Sequence, residues 1–145
     1  MTHISTGKFT VSSWNETTVH QADDETIDMG GVAYPARGFT RADVEYDYHG
    51  DVSGHGVEAS LIAYNRESSA PTMAFLAFDG SIDGHEGSLV LRSVGEHAGM
   101  EVSGRLDIIP GLGTGGLANA TGYAEIEIFG HSDDGYPITF HYDLN

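Results

Sequence analysis

The sequence predicts an all-β protein: a single eight-stranded antiparallel barrel of up-and-down topology. Three observations carry this expectation. Apolar and polar residues alternate with a period of two along most of the chain, and no stretch holds the 3.6-residue period of an amphipathic helix. The alternating runs number about eight, at the spacing of all-β folds. Glycine supplies 20 of the 145 residues and falls mainly between the runs, where its freedom in φ suits tight turns.

The first strand is expected over residues 6–14, with Phe9 and Val11 on one face and Lys8, Thr10 and Ser12 on the other. The second, over 39–49, has the cleanest pattern. Ala42, Val44, Tyr46 and Tyr48 alternate with Arg41, Asp43, Glu45 and Asp47. Gly50, Gly54 and Gly56 separate it from a third strand over 57–64. A fourth follows over 73–78, and Gly80, Gly84 and Gly87 lead into a fifth over 88–94. Gly95 and Gly99 precede a sixth over 100–109, and the last pair covers 123–129 and 137–144. Short connections of this kind join antiparallel neighbours. With no helix to cover its edges, such a sheet removes them by closing on itself, and a two-sheet sandwich is the alternative. The one long connection, residues 20–38, is charged and glycine-rich and reads as an exposed loop, or as a lid over a barrel mouth. Residues 1–145 are expected to form one domain.

Charge narrows the partners. The chain has 22 Asp or Glu against 6 Lys or Arg, a net charge of −16, with Lys8 its lone lysine. Such a surface repels phosphate backbones and anionic lipid heads, so neither nucleic acid nor membrane is expected as a partner. Its acidity fits either adaptation to concentrated salt or a genome biased against lysine codons. The absence of cysteine excludes disulfides, thiolate catalysis and thiolate zinc sites. No apolar run approaches the roughly 20 residues of a membrane-spanning helix. The run from Met1 to Lys8 lacks the basic-then-apolar pattern of a signal peptide, so the expected location is the cytoplasm.

Most motifs dissolve on inspection. Gly111, Gly113 and Gly116 spell G-x-G-x-x-G, but an alternating strand follows where a dinucleotide site needs a helix and a distal acid. They read as a glycine-rich crossing at the end of the barrel. The eight histidines include no His-x-His and no pair four apart, and the clusters His49, Asp51, His55 and His131, Asp133, Asp134 read as solvated turns. No metal and no cofactor are expected. Serine sits in no G-x-S-x-G nucleophile elbow. Glu125 and Glu127 share a strand face and are assigned to solvent, because Ala124, Ile126 and Ile128 form the apolar face opposite. Asn15-Glu-Thr17 matches a glycosylation sequon, which is idle without secretion.

What remains is the aromatic and polar content of the inward faces. Trp14, Phe75, Leu76, Phe78 and Phe140 are the candidate pocket walls. Tyr46, Tyr48, Tyr64 and Tyr142 carry hydroxyls able to orient a carbonyl or an epoxide. Arg41 and Glu58 are the candidates to polarise a substrate or move a proton. Ordinary core packing is the competing role for the aromatics, and an ion pair with Asp43 or Glu45 is the competing role for Arg41.

Specific runs then match a known pattern. Arg41-Ala-x-Val44, Gly50-Asp51-x-x-Gly54-x-Gly56, Phe78-x-Gly80-x-x-x-Gly84-x-x-Gly87-Ser88, Pro110-Gly-x-Gly113-Thr-Gly115-x-Leu117 and Tyr142-Asp-Leu144 occur in order. Together they resemble a small bacterial family catalogued as a domain of unknown function. The resemblance implies the lipocalin-like cup of allene oxide cyclase, and it brings no assigned reaction. Two departures stand out. The segment 73–78 is wholly apolar where relatives tend to carry polar residues, and His85 stands where they often have arginine. Facing inward, these positions make a greasier pocket; facing outward, 73–78 marks a contact between copies of the chain.

The reading that follows is a cofactor-free isomerase or cyclase that folds a hydrophobic substrate inside the barrel, with a hydrophobic small molecule as its partner. A lipocalin-like carrier without chemistry, and a barrel filled by its own side chains, are the alternatives.

Overall fold

The computed structural model describes residues 2–29, 31–65, 70–98, 101–129 and 134–144. The fold is all-β, as the alternation predicts. Eight long strands form a ring: β1 (His3–Gln21), β4 (Arg37–Gly50), β5 (Val52–Asn65), β6 (Ala70–Ile82), β7 (His85–Ala98), β8 (Glu101–Ile108), β10 (Ala120–Phe129) and β11 (Tyr136–Leu144). The short strands β2 (Thr26–Met29) and β3 (Val32–Pro35) make a separate hairpin, and β9 (Thr114–Gly115) pairs with β7. Neighbours in the ring follow one another along the chain, every pairing is antiparallel, and β1 pairs with β11 to close the circle. No open edge remains among these eight, which removes the template that an unpaired strand offers to other chains.

Residues 20–38 are the first departure from the sequence reading. They are no plain loop: β1 runs on to Gln21, and 26–35 fold into the β2–β3 hairpin. Val32, Ala33 and Tyr34 supply strand formers that the surrounding glycines and acids mask.

The lower half of the ring is packed solid. Phe78 and Phe140 meet at 6.2 Å between ring centroids, Tyr48 sets its edge on Phe78 at 5.2 Å, and Val52, Ile82, Leu89 and Leu91 fill the space around them. Each such side chain contributes about 1.5–3 kcal/mol by leaving water. The turn residue Asp83 closes this end. It takes a positive φ of 52°, a conformation asparagine and aspartate tolerate better than most residues. Its carboxylate accepts hydrogen bonds from Ser5 on β1 (2.8 Å) and Tyr142 on β11 (2.5 Å). The glycine run 111–116 supplies β9 and the tight turn that seats the fully buried Leu117 in the same end.

One close approach needs glycine. Gly54 and Gly80 face each other across β5 and β6, and a methyl group on Gly80 would lie 2.0 Å from the carbonyl oxygen of Ser53. Among the described residues no helix is long and apolar enough to cross a membrane.

Candidate functional site

The upper half of the ring is different. Along β4 the inward positions Thr40, Ala42, Val44 and Tyr46 continue those of the lower half, and on β5 they are Glu58, Ser60, Ile62 and Tyr64. Strand β1 reaches this region through a bulge between Val11 and Ser13, which shifts its parity. Below the bulge the odd residues Phe9 and Val11 face inward. Above it the even residues take over, with Trp14 opposite Val44 and Glu16 opposite Ala42. The bulge thus brings an indole and a carboxylate onto the interior face.

A cavity of about 80 Å³ lies here, with walls that include Val11, Trp14, Ile62, Ala74 and Ile126. Glu58 projects into it, beside Ser60 and Ser93. The Tyr46 hydroxyl donates to Glu58 Oε1 at 2.9 Å. Burial raises the Glu58 pKa above the ordinary 4.5, and the Tyr46 hydrogen bond offsets part of that rise. Tyr46 and Tyr48 are both pushed upward by burial and then by the Glu58 charge, so both remain phenols.

Above the cavity a second carboxylate organises the rim. Glu16 Oε2 accepts from Thr40 Oγ1 (2.5 Å) and Tyr64 OH (2.7 Å), and Glu16 Oε1 accepts from Trp14 Nε1 (3.1 Å). Tyr34, from the β2–β3 hairpin, stacks on Tyr64 with centroids 6.0 Å apart and planes 13° from parallel. Partial burial and the nearby Glu16 carboxylate raise the Tyr34 pKa. The hairpin therefore rests on the rim through this aromatic pair and through the approach of Tyr34 to Glu16.

The candidate residues separate into four groups. Tyr46, Glu58 and Trp14 meet at the cavity, and Tyr64 stands at the rim. Tyr48, Leu76, Phe78 and Phe140 face inward but fill the lower half, so they are packing rather than free pocket wall. Tyr142 lies at the closed end on Asp83, far along β11 from the cavity level. Arg41 and Phe75 are corrections, because both occupy the outer face. Arg41 pairs with Asp43 at 3.3 Å in solvent, and Phe75 is 57% exposed. With a period of two, Phe75 and Phe78 cannot share a face, and β6 turns Ala74, Leu76 and Phe78 inward.

Other expectations are placed as well. Glu125 and Glu127 are exposed, and Glu125 meets His141 at 3.2 Å. His85 sits exposed at the start of β7. His55 lies on the outer face between Glu45 and Asp47, each at 3.1 Å, which raises its pKa. His131 and Asp133 fall outside the described residues. Among the described residues no group of three or more His, Asp or Glu is placed to hold a metal ion. Glu16 is the residue that sequence reasoning missed, since it lies beyond both the expected end of the first strand and the bulge.

A crystal structure of a protein of unknown function from the DUF3224 family of Shewanella oneidensis MR-1 has a similar fold. It superposes with a TM-score of 0.72 at 19% identity, covering 100% of this chain and 99% of that one. No curated protein matches the sequence. The profile of the family described as "Protein of unknown function (DUF3224)" matches residues 5–142, and the chain belongs to that family.

Proposed function

We propose that the protein is a cofactor-free isomerase or cyclase that takes a small hydrophobic substrate into the open end of the ring and protonates it from Glu58. The supporting observation is the Glu58 carboxyl itself: inside the ring, against apolar walls, and held at one oxygen by Tyr46. A carboxyl whose ionisation is penalised by burial holds its proton to higher pH than an exposed one, the direction a general acid needs. With Oε1 engaged by Tyr46, the proton sits on Oε2. A substrate carbonyl or epoxide oxygen accepts it, a C–O or C–C bond reorganises, and a C–H of the same molecule returns a proton to Glu58. Substrate and product are then isomers, and no cofactor is consumed.

The volume sets the substrate class. By the measure in which one water needs about 10–15 Å³, the cavity holds several waters or one small polar-ended organic group. A long chain would have to extend past Trp14 and the hairpin. The filled lower half favours a second reading, in which the protein binds without chemistry or serves as a packed scaffold. The family's fold carries no preference between them. The cytoplasm is the setting we propose for either.

Ligand-observed NMR with short aliphatic ketones and epoxides, followed by chromatography of the mixtures, separates the readings. Saturation transfer from the wild type to a probe, with a new isomer formed, supports catalysis, and Glu58→Gln should bind but not convert. Binding without conversion by the wild type leaves the carrier. No transfer to any probe leaves the packed scaffold.

A further inference from the structure

The outer wall formed by β5, β6 and β7 is unlike the rest of this acidic molecule. Its outward positions are Val57, Ala59, Leu61 and Ala63 on β5, and Pro71, Met73, Phe75 and Ala77 on β6. On β7 they are Val90, Arg92 and Val94. Arg92 is the single charge among them. Phe75 is 57% exposed and Val94 63%, and an apolar groove of about 560 Å³ runs between Leu61, Met73 and Val94 at the upper margin. From Pro71 to Ala77 the β5 and β6 rows of this face carry no carboxylate, while Asp79 one row further along β6 and Asp43 and Glu45 on the neighbouring β4 border it. Contiguous apolar surface of this size on a monomer marks a contact site.

We infer that this wall is a homodimer interface, occupied by the same wall of a second copy. Charge and size both point to a self-complementary match. Row by row across the sheet, Asp43, Ala59, Phe75 and Arg92 stand side by side on β4, β5, β6 and β7. A two-fold axis running along the strands between β5 and β6 reverses that order in the facing sheet. Phe75 then meets the partner's Ala59, a large side chain over a small one, and Arg92 meets the partner's Asp43. Because an isologous contact occurs twice, each copy supplies one acid and one base. Any other acidic surface would meet Arg92 alone, whereas a second copy brings to Arg92 an Asp43 that already holds Arg41 at 3.3 Å, so that two cations flank each of the two carboxylates. The footprint is four strands by four residue rows, about 19 Å by 20 Å. That is about 380 Å² per copy, below the standard size and in the range of weak, transient contacts, so the dimer is reversible rather than obligate.

Sedimentation equilibrium of the purified chain tests this. At about 100 µM the wild type is expected to be dimeric, with dissociation on dilution to about 1 µM. Phe75→Asp should be monomeric at the upper concentration with an unchanged circular dichroism spectrum. Arg92→Glu should weaken association at least about tenfold, and Asp43→Arg combined with Arg92→Glu should recover part of it, since the facing pair is exchanged while the Arg41–Asp43 pair is lost. A monomeric wild type at about 100 µM in both low salt and roughly 1 M NaCl, where self-repulsion is screened, overturns the proposal. So does an oligomer indifferent to Phe75→Asp. Failure of the double variant to recover overturns the facing of Asp43 and Arg92. Wild type that floats with phosphatidylcholine vesicles in a Phe75-dependent way assigns the wall to lipid instead.

Discussion

Tyr46 and Glu58 stand on adjacent strands, and the phenol of one donates a 2.9 Å hydrogen bond to the carboxyl of the other inside the ring. Burial raises the Glu58 pKa, whereas the unfolded chain returns it to about 4.5. As pH rises from that value toward the folded one, the unfolded state loses its proton first, so stability falls across that window and is level above it. Glu58→Gln should abolish this slope. Tyr46→Phe removes the bond that favours the carboxylate and should move the titration still higher. Carboxyl ¹³C NMR reads the pKa directly, and a Glu58 midpoint at or below 4.5 would refute the assignment.

Glu16 ties three strands at the rim. Replacing it with alanine removes the shared acceptor of the fully buried Thr40 hydroxyl and of Tyr64, leaving these two only each other. Hydrogen bonds to a charged group contribute about 1.5–3 kcal/mol each, so Glu16→Ala should cost about 2–4 kcal/mol in urea unfolding. Glu16→Gln keeps an acceptor oxygen and should cost less than half as much. Equal losses from both would mean that the charge, not the acceptor geometry, matters.

At the closed end, Asp83 combines a positive φ with two side-chain bonds to β1 and β11. Asp83→Gly relieves the backbone but drops both bonds, whereas Asp83→Asn keeps the tolerated conformation and one acceptor oxygen. Thermal melts should rank wild type above Asn and Asn above Gly, with Gly down by about 2–3 kcal/mol. A glycine variant as stable as the wild type would show the clasp to be idle.

Gly80 and Gly84 offer a contrast in how glycine is needed. At Gly80 an added methyl meets the Ser53 carbonyl oxygen, a rigid backbone atom in the β5–β6 ladder. At Gly84 nothing lies within 4 Å and only its positive φ resists substitution. Gly84→Ala should cost about 1–2 kcal/mol, and Gly80→Ala about 3 kcal/mol or more, because two strands must part. Guanidinium midpoints compare them.

The sequence made the ring legible because period-two alternation survives wherever one face is wet. The strand from Arg41 to Tyr48 is readable residue by residue and puts Tyr46 on an inward face, whereas Glu58 on the next strand comes forward only as a candidate for proton transfer. The site was harder where the pattern breaks. The bulge after Val11 resets the parity of β1, so Glu16 reads as a surface residue inside a sequon and yet faces inward. Phe75 misled for the opposite reason. A run apolar on both sides hides which side is buried, and 73–78 divides between Leu76 in the interior and Phe75 outside. Arg41 carries a recurring motif but points outward, and no local signal marks that. The β2–β3 hairpin is built from four-residue strands among acids and glycines, too short for periodicity to register.

The packed lower half has a kinetic consequence. Among the described residues, Asp83, Leu117 and the aromatic stack leave no passage through the lower half, so a guest of the proposed site would have no exit on that side. Under the proposed function, a guest would enter and leave on the side where Tyr34 lies against Tyr64. A product would then depart before the next molecule arrives, and the β2–β3 hairpin, rather than the carboxyl beneath it, would set the dwell time.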